Sequence, residues 1–262
     1  MEYLGAKVKV AVKCVKHGEI FYQQPDNHLE GKNPCSKCNH MKSSPEEAIA
    51  EFLAVHTIVE RRNRTIIGPK ELDIWLPEHN IGVELHGLYF HTGTKAGKVH
   101  KEKWELAQKA GIQLVQIFED EWANKQELVK NRLLAFIGKA KTYNARQLEL
   151  RKVDMRDIRK MLENTHIQGA GVSSVNYGLY EGDEVVAVAT FGKSRSGAMT
   201  GTKLEGEWEV VRYASVGRVR GGFSKLFNQF IKDINPVKVV SYCDLRYGTG
   251  KLYEATGFKL DS

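Results

Sequence analysis

Between residues 43 and 140 the apolar positions change period several times. In "SSPEEAIAEFL", residues 43–53, Ile49, Phe52 and Leu53 recur at helical spacing. Ser44 is suited to the N-cap, Pro45 to the first helical position, and Glu47 to closing a capping box. Two short apolar runs follow, "ELDIWLP" and "IGVELHG", joined by a turn over Leu76–Asn80. They predict a β-hairpin. "KEKWELAQKAG" predicts a helix stopped by Gly111, and "IQLVQIF" a buried strand. "KQELVKNRLLAFIGK" predicts an amphipathic helix with Leu128, Val129, Leu133, Phe136 and Ile137 inward. Gly138 to Arg146 reads as a linker.

The flanking regions differ. Residues 1–42 carry two short β-like runs, Lys7–Val12 and Glu19–Tyr22, and few large apolar side chains. Beyond residue 145, strands over Tyr177–Tyr180 and Glu184–Phe191 flank a Gly182-Asp183 turn. "EWEVVRYASVGRVRGGFSKLFNQFIKD" reads as strand, glycine loop and helix. "VKVVSYCD" reads as a strand with Cys243 in the core, and "GTGKLYEATGFKL" as a helix and a final strand. The whole is an α/β (α+β) protein in three regions: 1–42, 43–140 and 145–262.

Charge adds a partner class. The 262 residues carry a formal net charge of +7, which suits a polyanion, nucleic acid before an anionic membrane. No stretch approaches the roughly 18 apolar residues of a membrane span, and the N-terminal stretch has no long apolar run of the secretory type. A cytoplasmic location and no membrane partner are the expectation. Cysteines there are more often free or metal-bound than paired.

Three of the four cysteines lie in the first 42 residues. Cys14-Val-Lys-His17 and Cys35-Ser-Lys-Cys38 are two pairs of the same spacing, joined by the loop from Gly18 to Pro34. Three thiolates and one imidazole can close a tetrahedral zinc site, and so small a region needs such a staple to fold. With no ligand position left open, the zinc is expected to be structural. His28 is read as a packed or capping side chain. This stretch, with Gly18, Phe21 and Leu29, resembles small zinc-binding modules of phage-encoded nucleases.

The hairpin carries the unusual chemistry. Asp73, Glu84, His86 and His91 fall close together, in strands that otherwise face a core. Glu84 and His86 are two apart and share a face, and the hairpin brings Asp73 near them. Buried acids this close repel and lose hydration unless something binds them. Paired carboxylates can hold a hard divalent cation, which polarises a phosphoryl oxygen. Gly87 allows a kink that returns His91 to the cluster, where an imidazole could deprotonate water.

Together with Glu46 on the preceding helix and Asp120 at the end of the next strand, this set resembles the very-short-patch-repair branch of the PD-(D/E)xK nuclease fold. It is closer still to phage homing endonucleases of the EDxHD type. The resemblance covers the middle region. It implies Asp73 as main metal ligand and His91 as general base, with Glu46, His86 and Asp120 in support. Glu84 takes the acidic place of the motif, and His86 stands where the usual lysine would be. It further implies double-stranded DNA as substrate, Mg²⁺ or Mn²⁺ at Asp73 and Glu84, and a phage protein working in a bacterial host.

Lys95, Lys98, His100, Lys101 and Lys103 follow directly and are placed to neutralise phosphates. In the C-terminal region the element order resembles the GNAT acyltransferase fold, with "LYEATGF" as its closing signature and Arg218–Phe223 as its pyrophosphate loop. Phe223 departs from that loop pattern, so acetyl-CoA is not expected. The alternative is DNA contact, with Arg195, Arg212, Arg218, Arg220 and Lys225 on phosphates and Tyr213 and Tyr247 stacking. The expected activity is therefore site-specific, homing-type hydrolysis of DNA. The rivals are a strand-nicking repair-type enzyme, an acyltransferase with a DNA-binding nuclease-like domain, and a DNA-binding module with a dead site. A monomer and a dimer are both compatible with the sequence.

Overall fold

A computed structural model describes residues 5–29, 35, 45–87, 94–193 and 206–261, without the side chains of 94–99. The chain forms two compact units, residues 1–48 and 49–262. It is a mixed α/β protein with several separate sheets.

In the first unit, β1 (Val10–Lys13) and β2 (Ile20–Gln23) pair antiparallel, with Val12 opposite Phe21. Gly18 turns the chain between them at φ +69°, a left-handed conformation that glycine takes without steric cost. α1 (Pro25–Leu29) follows.

α2 (Pro45–Ala54) starts at Pro45 and buries Ile49, Ala50 and Leu53. Its expected N-cap, Ser44, lies outside the described residues.

In the second unit the expected hairpin forms. β4 (Leu72–Leu76) and β5 (Ile81–His86) pair antiparallel, with Ile74 opposite Val83 and Leu76 opposite Ile81. A short 3-10 turn over Pro77–His79 joins them, closed by Asn80 at φ +53°, a region that asparagine tolerates. β6 (Gln113–Phe118) lies parallel to β5, putting Gln116 beside Glu84 and Phe118 beside His86. Parallel neighbours need a crossover. α3 (Thr94–Lys109) supplies it, and packs Ala107 and Trp104 against Ile67, Leu72, Trp75, Ile112 and Leu114. Gly111, at φ +73°, ends that turn as expected. β3 (Glu60–Asn63) pairs with β4, giving the order β3-β4-β5-β6. Its sequence, ERRN, has no apolar residue, because an exposed edge strand asks for none.

α4 (Glu119–Asn124) and α5 (Gln126–Phe136) complete this half. Leu128, Val129, Leu133 and Ile137 are buried, and Phe136 is half-buried. The stretch read as a linker is structured. β7 (Thr142–Asn144) pairs parallel with β12 (Arg218–Arg220), and Ala145 beyond it is buried. Tyr143 packs on the core there, an anchor too brief to show as a period.

The other sheet runs β13-β11-β10-β9-β8. β8 (Glu149–Lys152), β9 (Val175–Glu181), β10 (Glu184–Lys193) and β11 (Glu207–Ser215) form an antiparallel meander, and β13 (Lys238–Val240) lies parallel to β11. α6 (Met155–Thr165) packs Ile158, Met161 and Leu162 against Val188 and Ala214. α7 (Gly222–Ile234) packs through Phe223, Leu226, Phe227 and Phe230, and the Phe230 ring stacks 3.9 Å from Phe191. Burying each such ring contributes about 1.5–3 kcal/mol, so this aromatic seam anchors the helix. α8 (Lys251–Glu254) is followed by no strand among the described residues. Gly257 turns at φ +91° and Phe258 packs against Phe227 instead. Cys243 lies beyond the short β13, half-buried, its thiol pushed up by burial.

Candidate functional site

Asp73 and Glu84 face each other one step beyond the Ile74–Val83 pair. The backbone fixes both. The Asp73 N–H donates to Glu84 Oε1 at 3.1 Å, and the Leu85 N–H donates to Asp73 Oδ2 at 2.9 Å. α3 lies over this face, and the Lys103 ammonium donates to Glu84 Oε2. Glu84 is 3 % exposed. Burial, then the Asp73 charge, pushes its carboxyl up to about 7 against the opposing pull of Lys103. Burial also raises Asp73, opposed by the Leu85 N–H and by Lys103.

This donor set is of the type that hard divalent cations take. It offers carboxylate oxygens on two paired strands, both raised chiefly by burial, and already draws a cationic side chain. The zinc-type ligands, thiolate and imidazole, are gathered elsewhere.

The raised Glu84 carboxyl has a consequence for stability. Between its ordinary value near 4.5 and about 7 the folded chain holds a proton that the unfolded chain has lost. Metal-free protein therefore loses stability as pH rises through that window and levels off above it. Glu84→Gln removes the titration. Wild type is expected to lose roughly 3 kcal/mol more than this variant between pH 4.5 and 7.5. Urea denaturation in chelator at both pH values checks it; parallel losses in the two proteins would refute it.

His86 lies 5 % exposed at the end of β5. Its Nε2 sits 3.0 Å from Gln116 Oε1 across the parallel pair, so that nitrogen carries the proton. Its ring lies 3.9 Å from that of His100 on α3 and 5.5 Å from that of Phe118. The site is thus Asp73, Glu84 and His86 under Lys103 and His100, with Gln116 behind. The sequence places Lys103 and His100 toward phosphates; both instead turn onto the sheet, because the face of α3 that buries Trp104 and Ala107 carries them with it. Gln116 is hidden in the sequence because its strand reads as uniformly buried.

Asp120 stands exposed in the first turn of α4. Its neighbour Glu119 comes nearer the strand end: Glu119 Oε2 lies 3.6 Å from where a Cβ on Gly87 would stand. Glu46 is in the first turn of α2 and belongs to the other compact unit. His91 and Arg195, and the side chains of Lys95 and Lys98, lie outside the described residues. Lys101 is exposed and pairs with Glu105 at 3.9 Å. Arg218 and Arg220 are exposed on one face of β12.

Lys225 and Arg212 are engaged internally. The Lys225 ammonium donates to the carbonyls of Ala145 and Leu148 at 2.9 and 2.7 Å, and the Arg212 guanidinium to those of Gly169 and Val211. Tyr213 and Tyr247 are also enclosed. The Tyr213 hydroxyl is pushed up to about 12 by burial, and the Tyr247 hydroxyl donates to Glu121.

In the first unit Cys14, His17 and Cys35 converge, with their ligand atoms all within 4.8 Å of one another. His17 Nδ1 lies 3.7 Å from Cys14 Sγ and 3.4 Å from Cys35 Sγ. Two soft thiolates and an imidazole at this spacing can hold a metal such as zinc. Cys38, the expected fourth ligand, lies outside the described residues. His28 hydrogen-bonds Gln23 Oε1 at 3.2 Å and stays out of the cluster. Purified protein is expected to carry one zinc per chain, and Cys35→Ser to lose it. Stripping the metal should abolish the dispersed amide signals of the β1–β2 hairpin. Hairpin signals that survive a chelator would refute a structural metal.

No protein-family model matches the chain, and no curated protein is significantly similar to it. Among the described residues no helix is long and apolar enough to cross a membrane.

Proposed function

We propose that this protein is a metal-dependent DNA endonuclease of homing type. The observation that carries the reading is the Asp73–Glu84 pair, half-buried at Asp73 and buried at Glu84, fixed by two backbone N–H groups and drawn on by Lys103. Asp73 and Glu84 would hold a Mg²⁺ or Mn²⁺ ion, which supplies Lewis-acid polarisation of a phosphoryl oxygen when bound.

The chain's own residues do the rest. The Asp73 and Leu85 N–H groups hold the carboxylates in place, so little reorganisation is needed on binding. Lys103 neutralises part of the acidic charge that would repel a phosphodiester. His86, held by Gln116, follows Glu84 by two residues on the same strand. The part of general base falls to His91 by resemblance, with Glu46 and Asp120 in support.

Away from the site, a groove of about 750 Å³ is lined by Arg146, Arg220 and Lys232 without a carboxylate among the described residues, which suits a DNA backbone. Zinc in the first unit would be structural.

The test is cleavage of supercoiled plasmid and phage genomic DNA with Mg²⁺. Discrete cuts abolished by EDTA support the reading; DNA binding without cutting on any substrate sinks it. Nicked circles as sole product would point to the strand-nicking alternative.

The C-terminal sheet supports a second reading. Its meander closed by a parallel β13, with α7 after a glycine loop, is the order that resembles GNAT acyltransferases. Against it, Phe223 is 1 % exposed and turned into the aromatic seam, where such a loop would need a small residue. Calorimetry with acetyl-CoA decides between them, and no heat is expected.

A further inference from the structure

One stretch of the C-terminal half, Asp244–Tyr247, is built into the edge of the sheet that carries the candidate site. The Gln116 N–H on β6 donates to the Arg246 carbonyl at 3.0 Å, and Gln113 Nε2 reaches the Tyr247 carbonyl at 3.4 Å. The side chains grip the end of the same strand. Arg246 Nη1 donates to Glu121 Oε1 at 2.7 Å, and the Tyr247 hydroxyl donates to Glu121 Oε2. That Oε2 also accepts the Phe118 N–H at 3.2 Å, and the Arg246 guanidinium lies 5.1 Å from the Phe118 ring. Asp244 holds the same guanidinium from its other edge.

Both residues gripped in this way touch His86. Gln116 Oε1 accepts from the His86 Nε2–H, and Phe118 packs on the His86 ring and on that of His100. Two routes therefore run from the clip to one imidazole, a backbone route through Gln116 and a side-chain route through Glu121 and Phe118. A largely enclosed ion pair stabilises a fold no better than apolar packing of the same volume. Holding a reactive group's tautomer and ring plane is a use that such partners do serve.

We propose that Arg246 and Tyr247 are positioning residues for His86, so that the C-terminal half completes the site on the nuclease-like half. The proposal takes His86 to be part of the site read above as a nuclease. It implies that His86 is ordered only while residues 244–247 are docked.

The test uses the full chain and four proteins: wild type, Arg246→Met, Tyr247→Phe, and Val188→Ala as a core control on β10. Val188 is 0 % exposed in a different sheet, so its loss lowers stability without touching the clip. The first readout is the ¹H–¹⁵N signals of the His86 ring and the Gln116 side-chain amide. They are expected to shift in both clip variants and to stay in place in Val188→Ala. The second is single-turnover cleavage. Arg246→Met should lower the rate constant about 10–100-fold, with DNA affinity within about twofold of wild type and Tyr247→Phe intermediate.

Unmoved His86 signals in Tyr247→Phe, which removes one hydroxyl and keeps the fold, would overturn the proposal. So would a rate loss matched by Val188→Ala. If wild type cuts no DNA, the nuclease reading falls while the spectra still decide the positioning.

Discussion

Asp73→Asn is expected to lower the rate constant for DNA cleavage about 1,000-fold or more, with DNA affinity and fold unchanged. The substitution is nearly isosteric. Its side-chain oxygen can still accept the Leu85 N–H that now meets Asp73 Oδ2, so the hairpin keeps its register. What disappears is half of the charge facing a bound cation. Polarisation of the phosphoryl oxygen is worth several kcal/mol, enough for several factors of ten in rate. Mg²⁺ should consequently bind more weakly to the variant, which titration of free protein with Mn²⁺ by electron paramagnetic resonance can read without any substrate. Cleavage within tenfold of wild type would remove Asp73 from the chemistry. Loss of DNA binding in parallel with cleavage would make it a structural residue of the hairpin.

Which parts of this were legible in the sequence follows from which interactions are local. The hairpin could be read because its strands are short apolar runs and its turn is marked by Pro77 and Asn80. Glu84 and His86 share a face through period two, and Asp73 falls opposite Glu84 once the turn length is fixed. The Cys14, His17 and Cys35 cluster is likewise announced by the matching spacing of Cys14–His17 and Cys35–Cys38.

What escaped is set by packing between elements. β3 is written entirely in polar residues, and β7 depends on β12, which lies far along the chain beyond the whole antiparallel meander. Residue type alone points lysines and arginines toward DNA. Lys225 and Arg212 turn out to hold backbone carbonyls, because the cost of leaving buried carbonyls unpaired recruits the nearest long donor. Gln116 and Glu119 differ from their neighbours only in which side of a strand or turn they occupy, so the end of β6 drew attention to Asp120 instead.

Lys103 is the sharpest case, and its replacement is the most consequential change to the fold. The motif that the hairpin resembles has a lysine two positions after its acid, and His86 stands there. An ammonium nonetheless reaches Glu84, delivered from the crossover helix α3. Lys103→Met is expected to destabilise the metal-free protein by about 3–5 kcal/mol at pH 8, the range for leaving one member of a buried ion pair behind. Here the abandoned member is Glu84, 3 % exposed and already crowded by Asp73. The loss should shrink toward pH 5, where Glu84 takes up a proton and no longer needs a counter-charge. It should shrink also in the double variant Glu84→Gln/Lys103→Met, which buries neither charge. A coupling energy of about 1–3 kcal/mol is expected from that cycle. Saturating Mg²⁺ should recover part of the stability of the single variant, since a bound cation takes over the duty of the ammonium. If Lys103→Met is as stable as wild type at pH 8 in chelator, then Glu84 is neutralised by something else. Lys103 would then return to the phosphate-facing role that its place in a lysine-rich helix first suggested.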